Sequence, residues 1–137
     1  MSVSASLALQ EAVWAALTGS TELAALVGGR VFDAPPHADA PDATAGPFVV
    51  LGEERVEPWG AQGLSGAVHE LDVAVQGSEA GFAGAKRIAA AVAAAMETLP
   101  ALAVGRVATA AFAGARARRT RDGGRRIELR FRYRIEL

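Results

Sequence analysis

The side chains that could act as nucleophiles, bases or metal ligands are few and widely separated along this 137-residue chain. Cysteine is absent, so thiol catalysis, disulfides and cysteine-ligated zinc are excluded. The two histidines, His37 and His69, lie far apart and do not form the H-x-x-x-H spacing that places two imidazoles on one helix face. His37 falls in a proline-rich segment, and we expect His69 to flank a strand as an ordinary polar residue. The sequence therefore predicts no metal site and no cofactor.

Two glycine-rich stretches and one group of acids fail as catalytic motifs. In GFAGAKR, Arg87 stands where a phosphate-binding loop requires Ser or Thr, and GLSGA lacks the spacing of a nucleophile elbow. Glu53, Glu54 and Glu57 cluster near the end of a predicted strand, but no second acid–base partner can be assigned to them. We interpret these acids as a solvated strand end and predict that the protein is not an enzyme.

The C-terminal stretch RRIELRFRYRIEL alternates apolar and charged residues. A period of two places successive side chains on opposite faces of a strand, so one face is apolar and the other is charged. The charged side presents four arginines: Arg126, Arg130, Arg132 and Arg134. On an earlier predicted strand, Glu70 and Asp72 alternate with apolar residues in the same way. If the two strands are neighbours, we expect cross-strand ion pairs, each worth about 0.2–1 kcal/mol.

Three interpretations of these arginines stay open. They form a solvated face paired with the neighbouring strand, a protein–protein surface that uses multidentate guanidinium donors, or a nucleic-acid surface. The interspersed Glu128 and Glu136 and the lack of neighbouring exposed aromatic residues argue against nucleic acid. Trp59 has a similar ambiguity, since a tryptophan in a Gly-rich loop either packs on its own domain or anchors a partner.

Charge is divided unevenly along the chain, although the net charge is only −1. Residues 1–105 contain four Lys or Arg against twelve Asp or Glu, a balance of −8, whereas residues 106–137 have a balance of +7. An acidic body and a basic C-terminal segment could meet within the fold or between copies of the chain.

Periodicity and breakers predict the elements that position these residues. The pattern indicates helices over 6–20, 20–29 and 78–100, and strands over 48–54, 68–77, 101–120 and 125–137. We expect Ser20 and Ser78 to cap helices, a bulge near Gly114, and a hairpin turn at RDGG. Residues 30–47 predict an irregular segment because they contain four prolines, and residues 55–67 predict a Gly-rich loop.

This order, α-α-β-β-α-β-β, predicts one α+β domain over residues 1–137. We expect a mostly antiparallel four-stranded sheet with helices packed on one face. No apolar run approaches the roughly 20 residues of a membrane span, and the N-terminus lacks the basic region of a secretory signal. We therefore expect synthesis in the cytoplasm and no membrane contact.

Several stretches, in this order, resemble the tail completion or tail terminator proteins of long-tailed phages and of phage-derived gene transfer agents. The stretches are LTGSTELAALVGGRVFDAPP, GPFVVLGEE, HELDVAVQG and RRTRDGGRRIELRFRYRIE. The most specific pieces are GGRVFDAPP, PFVVLGE and RDGG with the following LRFRYRIE. The resemblance covers nearly the whole chain and implies a small α+β domain without catalytic residues.

The resemblance implies a structural role in virion assembly. Such proteins form a ring, usually a hexamer, that ends polymerisation of the major tail tube protein and offers a surface to the head–tail connector. DNA passes through the lumen, and no sequence-specific DNA binding is expected. The expected location is the head-proximal end of the tail in a virion or phage-like particle. A neck or head-completion ring protein is the alternative within this class, and a nucleic-acid-binding module that uses the basic hairpin is the alternative outside it.

A ring of identical copies needs two different, complementary patches on each chain. The charge division supplies such a pair. The arginines of one copy could meet Glu70, Asp72 or the group of Glu53, Glu54 and Glu57 on the next copy.

Overall fold

The computed structural model describes residues 3–36, 46–59, 65–78 and 81–137. Helices α1 (Ser6–Thr18) and α2 (Thr21–Val27) come first, followed by strands β1 (Val31–Phe32), β2 (Phe48–Pro58) and β3 (Gly66–Gly77). Helix α3 (Ala83–Glu97) leads to the last two strands, β4 (Arg106–Arg119) and β5 (Arg125–Glu136). The predicted α+β class is confirmed.

The five strands form one mixed sheet in the order β1-β2-β3-β5-β4. β1 runs parallel to β2, whereas the pairs β2–β3, β3–β5 and β4–β5 are antiparallel. The expectation of a four-stranded, mostly antiparallel sheet is therefore wrong. β1 has only two residues, too few to show a period, and Pro35 and Pro36 soon after it favour an irregular segment.

Several predicted boundaries also differ from the structure. β2 continues to Pro58 and β3 begins at Gly66, so strands occupy much of the segment predicted as a loop. Helix α3 begins at Ala83 rather than at Ser78, and no side chain caps its first turn. The other cap is confirmed, because the Ser20 hydroxyl accepts a hydrogen bond from the Leu23 amide at 3.1 Å.

The β4–β5 hairpin has the bulge and the turn that its glycines predict. The register of β4 shifts between Phe112 and Gly114, with a second shift between Val107 and Thr109. In the turn, Gly123 adopts a φ of 86°, and the Thr120 amide donates to the carbonyl oxygen of residue 124 at 3.0 Å. Both predictions are confirmed.

The helices pack on one face of the sheet and enclose the core. Val13 of α1 and Val92 of α3 belong to one buried cluster with Val73 of β3 and Phe131 of β5. Each such side chain contributes about 1.5–3 kcal/mol relative to leaving it exposed. Tyr133 of β5 donates its hydroxyl proton to the Met96 carbonyl at 2.8 Å, and its burial raises the pKa of that hydroxyl. Within the described ranges no helix covers the opposite face of the sheet, where the charged side chains of β3 and β5 stay partly exposed although Val50 and Ala74 are buried.

Candidate protein interface

Alternate residues of β2, β3 and β5 form a charged surface on the side of the sheet away from the helices. The register places Arg55 opposite Glu70, Glu70 opposite Arg132, and Asp72 opposite Arg130. We call this surface the charged face. Its members are Arg55, Glu57, Glu70, Asp72, Arg126, Glu128, Arg130, Arg132, Arg134 and Glu136. The sequence-predicted arginines are thus brought together with three of the predicted acids, Glu57, Glu70 and Asp72.

The centre of the charged face contains two cross-strand ion pairs. Arg130 donates through Nε and Nη2 to the two carboxylate oxygens of Asp72, at 2.8 and 3.2 Å. Arg132 donates through the same two nitrogens to Oε2 of Glu70, at 3.2 and 2.6 Å. The hydrogen bond from Arg132 lowers the pKa of Glu70, and the hydrogen bond to Asp72 raises the pKa of Arg130. The expected pairs are confirmed because β3 and β5 are neighbours.

Further ion pairs extend across the sheet towards both edges. Arg55 approaches Glu70 at 3.9 Å, and Arg118 of β4 donates to Glu128 at 3.0 Å. Arg126 lies 3.8 Å from the same Glu128 carboxylate, and Arg106 pairs with Glu136. Exposed pairs of this kind contribute about 0.2–1 kcal/mol each. They hold the guanidinium groups in place more than they stabilise the fold.

Positive charge without a partner is concentrated at the hairpin end of the sheet. Arg116, Arg119 and Arg121 are exposed and form no ion pair with other residues in the described part of the chain. We call these three residues the free arginines. A partner that carries negative charge would find unpaired donors here.

Trp59 packs against its own domain at the end of β2. The guanidinium carbon of Arg134 lies 4.3 Å from the centroid of the Trp59 ring, a cation–π contact worth about 0.5–1 kcal/mol at such a site. The Trp59 amide donates to the Gly66 carbonyl at 3.1 Å. The indole stays partly exposed, and Arg134 also lines an open pocket of 310 Å³ with Glu57. Contact of Trp59 with a partner stays a prediction.

A bulge in β2 places Glu54 on the opposite face of the strand from Glu57. The register places Leu51 opposite Val73 but Glu54 opposite Leu71, so one extra residue lies between the two pairs. The extra residue turns Glu54 towards the helix-covered face, whereas Glu53 keeps 81% of its side chain exposed. The interpretation of the acids as one solvated group is therefore wrong for Glu54.

His69 is fully buried and pairs with Glu54. Its Nδ1 lies 2.8 Å from Oε2 of Glu54, and the Ser6 hydroxyl of α1 donates to Oε1 of Glu54 at 2.5 Å. Partial burial raises the pKa of Glu54, but the hydrogen bonds from His69 and Ser6 outweigh it, and the pKa lies below its ordinary value. The expectation of an ordinary polar histidine beside the strand is wrong. His37 lies outside the described residues.

The contact between Ser6, Glu54 and His69 does not form a nucleophile–base pair. Ser6 donates to Glu54 rather than to His69, and the burial of His69 keeps a substrate away from its ring.

Among the residues that the structure describes, no group of three or more His, Cys, Asp or Glu side chains could hold a metal ion. None of the described helices combines the length and the hydropathy of a membrane span. The contact between Ser6, Glu54 and His69 connects α1 to β2 and β3.

Comparison with known proteins identifies a family. Residues 11–136 match the family described as tail completion protein gp17. A chain of the solved structure "Virion of native gene transfer agent (GTA) particle" is similar, with a TM-score of 0.85 and 41% sequence identity over 98% of each chain. A comparison with curated proteins found no match. Because the family match spans nearly the whole chain, this protein belongs to the tail completion protein gp17 family.

Proposed function

We propose that this protein forms a ring at the head-proximal end of a phage-like tail tube. The proposal rests above all on the 41% identity, over 98% of each chain, to a chain of a gene transfer agent virion. The family description, tail completion, is consistent with the end of a tail. Together they support a location in a phage-like particle and a structural role.

The ring, a hexamer by the sequence resemblance, ends polymerisation of the major tail tube protein. Its other surface joins the tail to the head–tail connector, and DNA passes through its lumen. The ion pairs of the charged face favour this role over DNA binding, because Arg130 and Arg132 already have carboxylate partners. A conduit must release DNA, and a surface of unpaired cations would hold the phosphate backbone.

The placement of charge supports head-to-tail contact between copies. The free arginines lie on or beside β4, and the exposed acids Glu53 and Glu57 lie on β2. β5 and β3 separate these two strands, so charges of opposite sign occupy opposite sides of the domain. A ring requires two different complementary patches of this kind.

The ion pairs within one copy reduce the number of charged residues that can pair with a neighbouring copy. Because Glu70 and Asp72 are satisfied by β5, we assign the acidic side of the contact to Glu53 and Glu57. Arg130 and Arg132 keep 42% and 55% of their side chains exposed, so they stay accessible on the basic side.

Electron microscopy of particles from cells that lack only this gene tests the proposal. We expect filled heads without tails, together with free tubes of uncontrolled length, and normal particles once the gene is restored. Normal tailed particles in the deletion strain would overturn the proposal. Free tubes of normal length would instead indicate a head-completion protein of the neck.

The free arginines are the observation that favours the second candidate, a nucleic-acid-binding module. That function predicts duplex DNA affinity that falls steeply with added salt and is lost when Arg116, Arg119 and Arg121 are changed to Gln. We expect the purified protein to bind DNA weakly, and we expect the triple variant to complete fewer tails because it loses the basic side of the contact between copies. Strong, salt-sensitive DNA binding by the native protein that the triple variant loses would favour the DNA-binding function.

A further inference from the structure

The exposed large apolar side chains fall into two groups. In the described part of the chain these are Val3, Leu7, Trp14, Val104, Phe112 and Leu137. The first three lie on or just before α1, and the other three lie on β4 or at the neighbouring ends of the sheet strands. Apolar groups left at the surface in this way mark interaction sites when they are contiguous.

The first group forms a stripe along α1. Leu7 and Trp14 are two helical turns apart and therefore lie on one face of the helix, opposite the buried Leu9 and Val13. The exposed Glu11 lies between them. Leu7 keeps 67% of its surface exposed, although its side chain is apolar. We call this surface the α1 stripe.

The second group lies where the sheet extends beyond its helices. On the helix-covered side of the sheet, β4 presents Phe112 and several small residues. These residues pair with residues of β5 that are buried beneath α3. The β4 residues are Ala110, Phe112, Ala115 and Ala117, and all four are exposed. Arg119 continues the same side of the strand towards the hairpin turn. The sheet is thus one strand wider than its helix layer.

Phe112 is largely exposed beside α3. Its ring meets Phe131 edge to face, with centroids 5.8 Å apart, yet 57% of Phe112 stays exposed. Between Phe112 and α3 runs a groove of 110 Å³ whose walls include Ala93, Met96 and Glu97. We call this surface the β4 groove. Small side chains on its floor allow a helix to approach closely.

We infer that the α1 stripe of one copy packs into the β4 groove of the next copy. The inference rests on the proposed ring and names the surfaces that close it. The two patches lie on opposite sides of the domain, because Ser6 of α1 contacts Glu54 of β2 and β4 is the far edge strand. A contact between unlike patches repeats head to tail and closes when the rotation allows.

The second copy fits the groove by shape and by charge. Its α1 supplies a helix for the strand that lacks one, and its Leu7 and Trp14 are the apolar side chains that would cover Phe112. The negative charge of Glu11 complements the positive charge of Arg119 at the end of β4. Since Glu97 also lines the groove, Glu11 must lie towards Arg119 and away from Glu97.

Engineered disulfides test the inference, because the chain has no cysteine of its own. We would express the variant L7C/F112C in cells that lack the native gene, purify particles, oxidise them and separate the protein on a non-reducing gel. We expect a series of covalently linked oligomers that returns to monomer on reduction. The single variants, and the matched pair L7C/R87C with an exposed site on α3, should give no such series.

The outcomes separate this inference from the proposed function. Particles that contain a ring of this protein but give no link between positions 7 and 112 would overturn the contact and leave the ring intact. A strain without the gene that makes normal particles would overturn the ring itself.

A second measurement covers the case in which the cysteine variant is not incorporated. Benzoylphenylalanine in place of Phe112 in the otherwise native chain should attach, on irradiation, to residues 3–18 of another copy. Attachment to any other segment would overturn the inference.

Discussion

The carboxylate of Glu54 and the imidazole of His69 lie 2.8 Å apart on the helix-covered face of the sheet. Ser6 donates a hydrogen bond to the same carboxylate, so one acid links α1, β2 and β3. His69 is fully buried. A polar group in that position is costly unless it is hydrogen-bonded, and Glu54 supplies the bond to its Nδ1.

We expect the substitution Glu54→Ala to lower the free energy of unfolding by about 1–3 kcal/mol, because it leaves His69 and Ser6 without their acceptor. Urea unfolding followed by circular dichroism measures the change. The matched control is Glu53→Ala, one residue away and exposed, which should change stability by less than about 0.5 kcal/mol. Equal losses in the free energy of unfolding would show that the buried contact does not stabilise the fold.

The pKa of Glu54 also predicts how stability depends on pH. Its folded pKa lies below the ordinary value of 4.5, so its stabilising contribution is present above that value and is lost as pH falls through the folded pKa. Glu54→Gln cannot titrate, and we therefore expect the native chain to lose stability relative to this variant as the pH is lowered below 4.5.

The comparison with Glu54→Gln isolates the contact between Glu54 and His69 from the other acids. Glu70 and Asp122 also have lowered pKa values, but they are present in both proteins and cancel in the difference. Unfolding curves recorded at several pH values give that difference directly. Parallel stability profiles for the two proteins would contradict the assignment.

The charged residues of the charged face could be predicted from the sequence because β3 and β5 pair without a register shift. Alternation alone placed Glu70 and Asp72 on the same side as Arg130 and Arg132 once the strands were neighbours. The Glu54–His69 contact was not predictable in this way. A bulge changes which face Glu54 occupies, and a bulge leaves no period in the sequence.

The contact between α1 and β2 was also not predictable from the sequence. Ser6 and Glu54 are 48 residues apart, and no local pattern connects them. The assembly role came from resemblance rather than from physical chemistry, because a ring interface has no catalytic motif to mark it. Exposed apolar residues such as Leu7 and Phe112 acquire meaning only when the fold shows that nothing in the described chain covers them.

The hairpin turn offers a test of backbone conformation without side-chain contacts. Gly123 has a φ of +86°, and an added Cβ would meet nothing within 4 Å. We expect Gly123→Ala to destabilise the protein by about 1–2 kcal/mol through the strained backbone alone. Gly29→Ala is the control, since it has the same open space without a positive φ. It should be neutral or stabilising by up to about 1 kcal/mol. Thermal unfolding compares the two, and equal melting temperatures would refute the prediction.

The charged face itself can be tested by reversing its charges. Arg130→Glu with Arg132→Glu places acids opposite Glu70 and Asp72, and like charges directly opposite each other destabilise a sheet. We expect the double variant to unfold at a lower urea concentration than the native chain. We also expect weaker ring assembly, measured by the fraction of particles with completed tails.

A fourfold variant separates the two effects. Adding Glu70→Arg and Asp72→Arg restores both cross-strand pairs with opposite sign, so stability should return to that of the native chain. The charge presented to a neighbouring copy by β5 stays reversed, and assembly should therefore stay impaired. If the fourfold variant completes tails normally, the arginines of β5 serve only the fold, and the contact between copies must lie elsewhere on the domain.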